Sequence, residues 1–202
     1  MNNILVFLQT GGIIMFPLSV LAIALLAIII DKILFYYKYL RITKNIENLI
    51  YEPNFCLQTW QNYLQKFSTK HFYYILWQLI KQNKNVCQNN ILLENQATSL
   101  LKKIEKQMFS AIWILETIVS VAPLLGLLGT IVGMSTSFKI LGSTQLNPAG
   151  ITSGVAESLI ATAFGLVIAI IALFVFNLWQ RLANHTLDNL EIIINAALAH
   201  KK

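Results

Sequence analysis

The sequence predicts an all-α membrane protein with three transmembrane helices, and two observations lead to this fold class. Of its 202 residues, 56% are hydrophobic and only 12% are charged, a combination that soluble domains rarely show. Three runs contain no ionisable side chain, namely Ile4–Ile30, Thr117–Phe138 and Ser158–Gln180. Each run is long enough to cross a hydrocarbon core of about 30 Å, which takes about 20 helical residues.

The distribution of positive charge predicts which ends of the helices face the cytoplasm. Ten Lys and Arg residues lie from Lys38 to Lys106, between the first two apolar runs, whereas only Lys139 lies between the second and third. Because positive residues accumulate in cytoplasmic loops, we expect the N-terminus outside the cytoplasm and the C-terminus inside it. Spans two and three are then extended into the cytoplasm by long helices.

Span one is predicted over residues 12–34, after a periplasmic N-terminal segment of residues 1–11. Pro17 lies in the first turns of this span, where a missing backbone N–H has the least effect. Asp31 and Lys32 end the apolar run, and the aromatic and basic residues that follow are typical of a membrane–water boundary. The first run lacks the positive segment and the cleavage pattern of a secretory signal, so we expect a retained span.

A cytoplasmic helical segment is predicted over residues 35–111. Apolar residues at helical spacing, such as Leu76 and Ile80, indicate short amphipathic helices that are interrupted near Pro53. From about Ile91 the pattern indicates a longer helix, which we expect to run without a break into span two.

The second half of the chain is predicted to form a helical hairpin with a cytoplasmic tail. Its segments are span two, a periplasmic turn, span three and the helical tail, at residues 112–141, 142–150, 151–179 and 180–202. Asn147 and Pro148 indicate a helix start, with Asn as the N-cap and Pro at the first helical position. We expect the apolar side of the tail to pack on the helix that precedes span two.

Glu157 is the candidate for chemistry within the spans. It follows Pro148 by nine residues, about 14 Å along a helix, and an ionised carboxylate at that depth costs at least about 2.5 kcal/mol. Such a group faces water or the protein interior, and the functional interpretation is a proton or cation site. Two alternatives stay open: a hydrogen bond that only packs helices, or an interfacial location if the span begins later.

Small residues predict that spans two and three pack closely. Gly129 and Gly133 form a GxxxG pair, which allows two helix backbones to approach. The glycines expected to serve this packing are Gly126, Gly129, Gly133 and Gly165. Packing does not explain why Thr130 and Glu157 lie at similar depth, about a dozen ångströms below the outer ends of their spans. A hydroxyl and a carboxyl at one level can bridge a water or share a proton.

Other classes of function receive no support from the sequence. It contains no HExxH, GxSxG, P-loop or Rossmann fingerprint, so no enzyme and no cofactor is predicted. Cys56 and Cys87 form no Cys/His cluster, so no metal site is predicted. The net charge of +6 is dispersed along membrane-flanking segments, so its expected role is to orient the protein in the membrane and not to bind nucleic acid.

Asp31 and Glu116 are expected at the membrane interfaces.

Two motifs resemble the proton-channel family that includes MotA, TolQ and ExbB. They are APLLGLLGTIVGM at Ala122–Met134 and GVAESLIATAFGL at Gly154–Leu166. The residues around span one and the LETI sequence at Leu115–Ile118 resemble the ExbB branch, and three spans favour ExbB or TolQ over MotA-like subunits with four. One departure is Ala169–Ala172, which lacks the proline that the family commonly has there.

The resemblance implies an inner-membrane homopentamer whose second and third spans line a pore around two copies of a single-span ExbD-like or TolR-like partner. An aspartate of the partner carries protons, and the protonmotive force drives movement of the partner dimer. By motif match, Thr130, Glu157 and Thr162 stand at the family's polar pore positions.

The function implied is that of an ExbB-like subunit, embedded in membrane lipid, that acts on a TonB-like protein to energise outer-membrane transport. One alternative is a TolQ-like subunit that acts with a TolA-like protein in envelope maintenance. The other is a non-conducting scaffold in which the polar residues only join helices.

Overall fold

The structure is a computed structural model that describes residues 12–40, 71–86, 90–141 and 148–199. Five α-helices lie within these ranges: α1 (Met15–Phe35), α2 (Phe72–Val86), α3 (Asn90–Met108), α4 (Ile112–Leu141) and α5 (Pro148–Ala199). A π-helical turn, Tyr36–Leu40, follows α1. The described residues contain no strand, which confirms the all-α class. Several predicted features lie outside them: the segment 1–11, the interruption at Pro53, both cysteines, Asn147 and most of the predicted turn.

Three helical stretches are long and apolar enough to cross a membrane, which confirms the three predicted spans. Within the described residues these stretches are Met15–Tyr39, Glu94–Lys139 and Thr152–Ala196, of which the second combines most of α3 with α4. α5 begins at Pro148, whose fixed φ suits the first helical position, and runs for 52 residues. Its second half therefore continues beyond the uncharged run as a helical tail. The side of the membrane on which each end lies stays a prediction.

The chain forms two compact units, and the first is described for residues 12–30, 111–141 and 148–177. Its core consists of one face each of α1, α4 and α5, because the buried residues recur every three or four positions. The fully buried members include Met15, Leu18, Leu115, Ile118, Ala122, Ala161 and Ala172. The opposite faces are also apolar, since Ile23 is 67% exposed and Phe174 is 76% exposed. Helices that are apolar on all sides are expected in a membrane.

The second unit is described for residues 31–40, 71–86, 90–110 and 178–199. Its buried residues come from α2, α3 and the second half of α5 and include Phe72, Leu76, Ala97, Ile104, Ala183 and Leu190. Aromatic rings hold the end of α1 in this unit. The Tyr39 ring stacks on Phe72 with centroids 5.3 Å apart, and Phe35 meets Trp179 edge-on at 5.7 Å. Such contacts contribute stability beyond their buried area.

The expectation of an unbroken helix into span two is wrong. α3 ends at Met108 and α4 begins at Ile112, and the intervening Ala111 has a φ of 61°. This is the left-handed region, which residues with a Cβ seldom adopt. No Gly or Pro lies at residues 109–111, so the local sequence carries no signal for the break. A helix end leaves carbonyl groups without intrahelical partners, and other side chains must satisfy them.

Candidate functional site

Helices α4 and α5 approach each other at the level of their backbones, and glycines make this possible. A methyl group on Gly165 would lie 2.6 Å from the carbonyl oxygen of Ala122, and one on Gly126 would lie 3.0 Å from Cα of Thr162. At Gly129 it would lie 3.0 Å from Cβ of Ala161. At Gly133 it would lie 2.5 Å from Cβ of Ser158. All four glycines singled out in the sequence therefore lie at this helix–helix contact.

Thr162 joins the two helices by a hydrogen bond. Its Oγ1 donates to the carbonyl oxygen of Gly126 at 2.7 Å, and a longer contact of 3.4 Å reaches the Ser158 carbonyl of its own helix. The side chain is half-buried. A hydroxyl that donates its single proton across the contact retains acceptor capacity only, so Thr162 can also receive a hydrogen bond from a water or an acid.

Thr130 lies on α4 with its hydroxyl turned back to its own helix. Its Oγ1 donates to the carbonyl oxygen of Leu127 at 2.7 Å, and the side chain is half-buried. While this bond persists, the Thr130 hydroxyl oxygen, like that of Thr162, can only accept a hydrogen bond from a carboxyl group or a water molecule. Both threonine hydroxyls can therefore still accept a hydrogen bond from a water molecule or from a protonated carboxyl group.

Glu157 is half-buried on α5, and its carboxylate lies against the turn that precedes α1. A methyl group on Gly12 would lie 2.7 Å from Oε1 of Glu157. Gly12 has a φ of 71° and accepts a hydrogen bond from the N–H of Met15 at 3.0 Å. Glycine is needed here for two reasons, because the backbone is left-handed and because the carboxylate leaves no space for a side chain. The sequence reasoning missed Gly12, although glycine directly before an apolar helix is a signal for such a turn.

A second polar cluster, centred on Lys32, was also missed. Lys32 is only 3% exposed, and its Nζ donates to the carbonyl oxygens of Ser110 at 2.5 Å and Met108 at 3.2 Å. It lies 4.8 Å from the ring centre of Trp179, whose Nε1 donates to the same Met108 oxygen at 2.8 Å. The cluster satisfies the carbonyls freed where α3 ends, and a cation at a helix C-terminus is favourable.

These two clusters differ in what they can do. Lys32 has its donors bound to carbonyls and serves the break after α3. Glu157 is an acid at a partly buried position beside the Gly12 turn, where its carboxylate can accept hydrogen bonds from water. Among the described residues, no group of three or more His, Cys, Asp or Glu side chains is placed to hold a metal ion.

The residues that build the α4–α5 contact also match a known protein family. A sequence model of the MotA/TolQ/ExbB proton channel family matches residues 65–192. The ExbB-like 3 protein of Synechocystis is 49% identical over 70 residues, which cover 33% of each chain. The biopolymer transport protein ExbB of Pseudomonas putida is 44% identical over 77 residues, 38% of this chain and 23% of that protein.

A third relative shares a longer segment. The biopolymer transport protein ExbB of Aquifex aeolicus is 36% identical over 92 residues, 45% of this chain and 62% of that protein. In each of these three relatives the matched segment spans less than two thirds of the length. The family match itself extends over more than half of the present chain, from residue 65 to residue 192 in the second half of α5. The chain belongs to the MotA/TolQ/ExbB proton channel family.

Proposed function

We propose that this chain is an ExbB-like subunit of a proton channel in the bacterial inner membrane and that it energises a TonB-like protein. The observation that carries this proposal is the half-buried carboxylate of Glu157 on an apolar helix that packs at backbone distance against α4. A carboxylate in such a span is rare unless it serves transport or pairs within the protein. The similarity to proteins named ExbB supports the same conclusion.

The assembly that we propose is a homopentamer around a dimer of an ExbD-like single-span partner. Its support is the exposed apolar surface of the hairpin: Leu124 of α4 is 63% exposed, and Ile170 of α5 is 64% exposed. In a membrane such faces meet either lipid or another subunit. The N-terminus is assigned to the periplasm and the C-terminus to the cytoplasm, because positive residues accumulate in the cytoplasm.

In this channel Glu157 acts as a protonatable or water-organising group, and Thr130 and Thr162 line the polar path. Both hydroxyls donate to backbone carbonyls, so each offers an acceptor to a water or to the protonated carboxyl. A proton that reaches Glu157 from one side is then released to a water, or to the partner's carboxylate, on the other. The glycines Gly126, Gly129, Gly133 and Gly165 keep α4 and α5 close enough for this path.

The test compares Glu157→Gln with Glu116→Gln, a matched loss of one carboxylate from an exposed position on α4. Each variant is co-expressed with an ExbD-like single-span partner, and uptake that depends on the protonmotive force is measured. Native mass of the purified complex is recorded in parallel to establish assembly. We expect uptake to fall at least about tenfold for Glu157→Gln and to stay near wild type for Glu116→Gln.

Two results would change the proposal. Undiminished uptake by an assembled Glu157→Gln complex would reduce Glu157 to a packing role, as in the scaffold alternative. Assembly with a TolR-like and TolA-like pair, and not with an ExbD-like and TonB-like pair, would assign the chain to envelope maintenance.

A further inference from the structure

A basic cavity lies in the second unit, beside the last turns of α1, the π-helical turn and the last turns of α3. Its volume is about 680 Å³, which is within the usual range for sites that bind small molecules. Three lysines line it, Lys38 from the π-helical turn and Lys103 and Lys106 from α3, with Asp31 as the acidic side chain in its wall. The cavity therefore has an excess of positive charge and fits an anion.

The lysines are accessible, and the aromatic wall beside them is fixed. Lys38, Lys103 and Lys106 are exposed, as is Asp31. Lys38 Nζ lies 5.2 Å from the ring centre of Tyr39, and Tyr39 in turn stacks on Phe72. The packed tyrosine provides a rigid wall along which the Lys38 ammonium lies, a favourable contact of a cation with an aromatic face.

The position of the cavity favours a lipid anion over a soluble one. It borders the end of a stretch, Met15–Tyr39, that is long and apolar enough to span the membrane. Leu34 lines the cavity and is 64% exposed, and the adjacent Ile33 is 51% exposed. Basic residues at the end of a membrane span attract anionic lipids. A ligand with a charged head and apolar chains would contact both surfaces, whereas a free anion would contact the lysines alone.

We propose that this cavity binds the phosphodiester headgroup of an anionic phospholipid, of which phosphatidylglycerol is the probe. The headgroup is held by Lys38, Lys103 and Lys106, and the acyl chains lie along Ile33 and Leu34. A zwitterionic lipid such as phosphatidylcholine binds more weakly, because its own quaternary ammonium opposes the lysines.

The experiment measures retained lipid by native mass spectrometry of the purified full chain. The cavity variant is Lys38→Gln/Lys103→Gln/Lys106→Gln. The control variant removes the same charge at lysines that do not line the cavity: Lys81→Gln/Lys102→Gln/Lys139→Gln. Each protein is incubated with equal amounts of phosphatidylglycerol and phosphatidylcholine, and then with inorganic phosphate as a competitor. All six side chains are exposed, so the fold should persist, and helical content measured by circular dichroism checks this.

We expect wild type and the control variant to retain phosphatidylglycerol at least about tenfold over phosphatidylcholine, since each lysine contributes roughly fivefold near an anionic lipid. The cavity variant should lose this preference, and Lys103→Glu alone should weaken it. Three outcomes would overturn the proposal: unchanged retention by the cavity variant, an equal loss in the control variant, or displacement of the lipid by inorganic phosphate. The second would indicate unspecific charge attraction, and the third a site for a soluble anion.

Discussion

Replacement of Gly165 by Ala tests the proposal that α4 and α5 must pack at backbone distance. The new Cβ would lie 2.6 Å from the carbonyl oxygen of Ala122 and 3.2 Å from Cα of Gly126. Favourable contacts between an aliphatic carbon and a carbonyl oxygen lie at about 3.3–3.6 Å. The methyl group therefore overlaps the backbone of α4 by roughly 0.7–1.0 Å. A backbone atom cannot rotate away, so the helices must separate.

The size of the effect follows from this separation. Dispersion contacts lose about a quarter to a half of their energy when a gap of 0.5–1 Å opens, and overpacking in a well-packed core costs about 1–3 kcal/mol. Because a chain of 150–250 residues shifts its Tm by roughly 2–4 °C per kcal/mol, we expect Gly165→Ala to lower the Tm by roughly 2–12 °C.

Gly129→Ala provides the matched comparison, because its obstacle is a side chain. The new methyl group would lie 3.0 Å from Cβ of Ala161, closer than the roughly 3.5–4.0 Å at which carbon atoms pack best. Ala161→Gly removes that Cβ atom, so the double variant has one methyl group fewer on α5 and one more on α4. The pair Gly129→Ala/Ala161→Gly should return close to wild type, whereas Ala161→Gly should not rescue Gly165→Ala.

The assay is thermal unfolding of the purified protein in mild detergent. For each glycine, four proteins are measured: wild type, the glycine-to-alanine variant, Ala161→Gly and the double variant. Residues in contact couple by about 0.5–3 kcal/mol in such a cycle, and we expect this coupling at Gly129 only. A Gly165→Ala protein with the wild-type Tm, or equal rescue at both sites by Ala161→Gly, would refute the backbone-contact argument.

Three further predictions concern single side chains. Lys32→Met removes the side-chain donor of the Ser110 carbonyl and leaves the Met108 carbonyl with Trp179 alone, so it should destabilise the protein by about 1–3 kcal/mol. Lys102→Met at an exposed position should have little effect, and equal Tm values for the two variants would contradict the capping role. Ala111→Gly relieves a left-handed φ and should raise the free energy of unfolding by about 1 kcal/mol, and a lower value in chemical denaturation would argue against strain there. Thr162→Val removes the hydrogen bond to Gly126 and should cost about 0.6–1.7 kcal/mol, whereas Thr162→Ser should cost less; the same Tm for Val and Ser would show that the hydroxyl adds no stability.

The sequence predicted the spans well because the signal for a span is local. Uncharged runs of this length have no stable alternative to a helix in a bilayer, and the described part of each run lies mainly in a long apolar helix. The break at residues 109–111 could not be predicted in this way. It contains no helix-breaking residue, and the groups that stabilise it, Lys32 and Trp179, are 78 residues from Ser110 and 71 residues from Met108. Only tertiary contact reveals such a cap.

The candidate site shows the same division between local and non-local information. Helical geometry places Thr162 about 140° around α5 from Glu157, and in the structure Thr162 contacts Gly126 of α4 while Glu157 contacts Gly12 before α1. The sequence allows the depth of Glu157 and of Thr130 below the outer ends of their spans to be estimated, because this depth depends only on the rise per residue. It could not give the direction of the Thr130 hydroxyl or the neighbour of the carboxylate, because both depend on packing.

One physical consequence of this arrangement is that the described part of the chain leaves Glu157 partly open to its surroundings. Its carboxylate has the Gly12 turn on one side but is only half-buried, and the neighbouring Leu159 is 60% exposed. A half-exposed carboxylate in hydrocarbon costs at least about 2.5 kcal/mol when ionised, so another surface must cover it or supply water. We therefore expect cysteine crosslinks from an introduced Leu159→Cys to form between chains in membranes. Crosslinked dimers absent from Leu159→Cys yet present for a cysteine at the 76%-exposed Phe174 would instead place the Glu157 region of α5 against lipid.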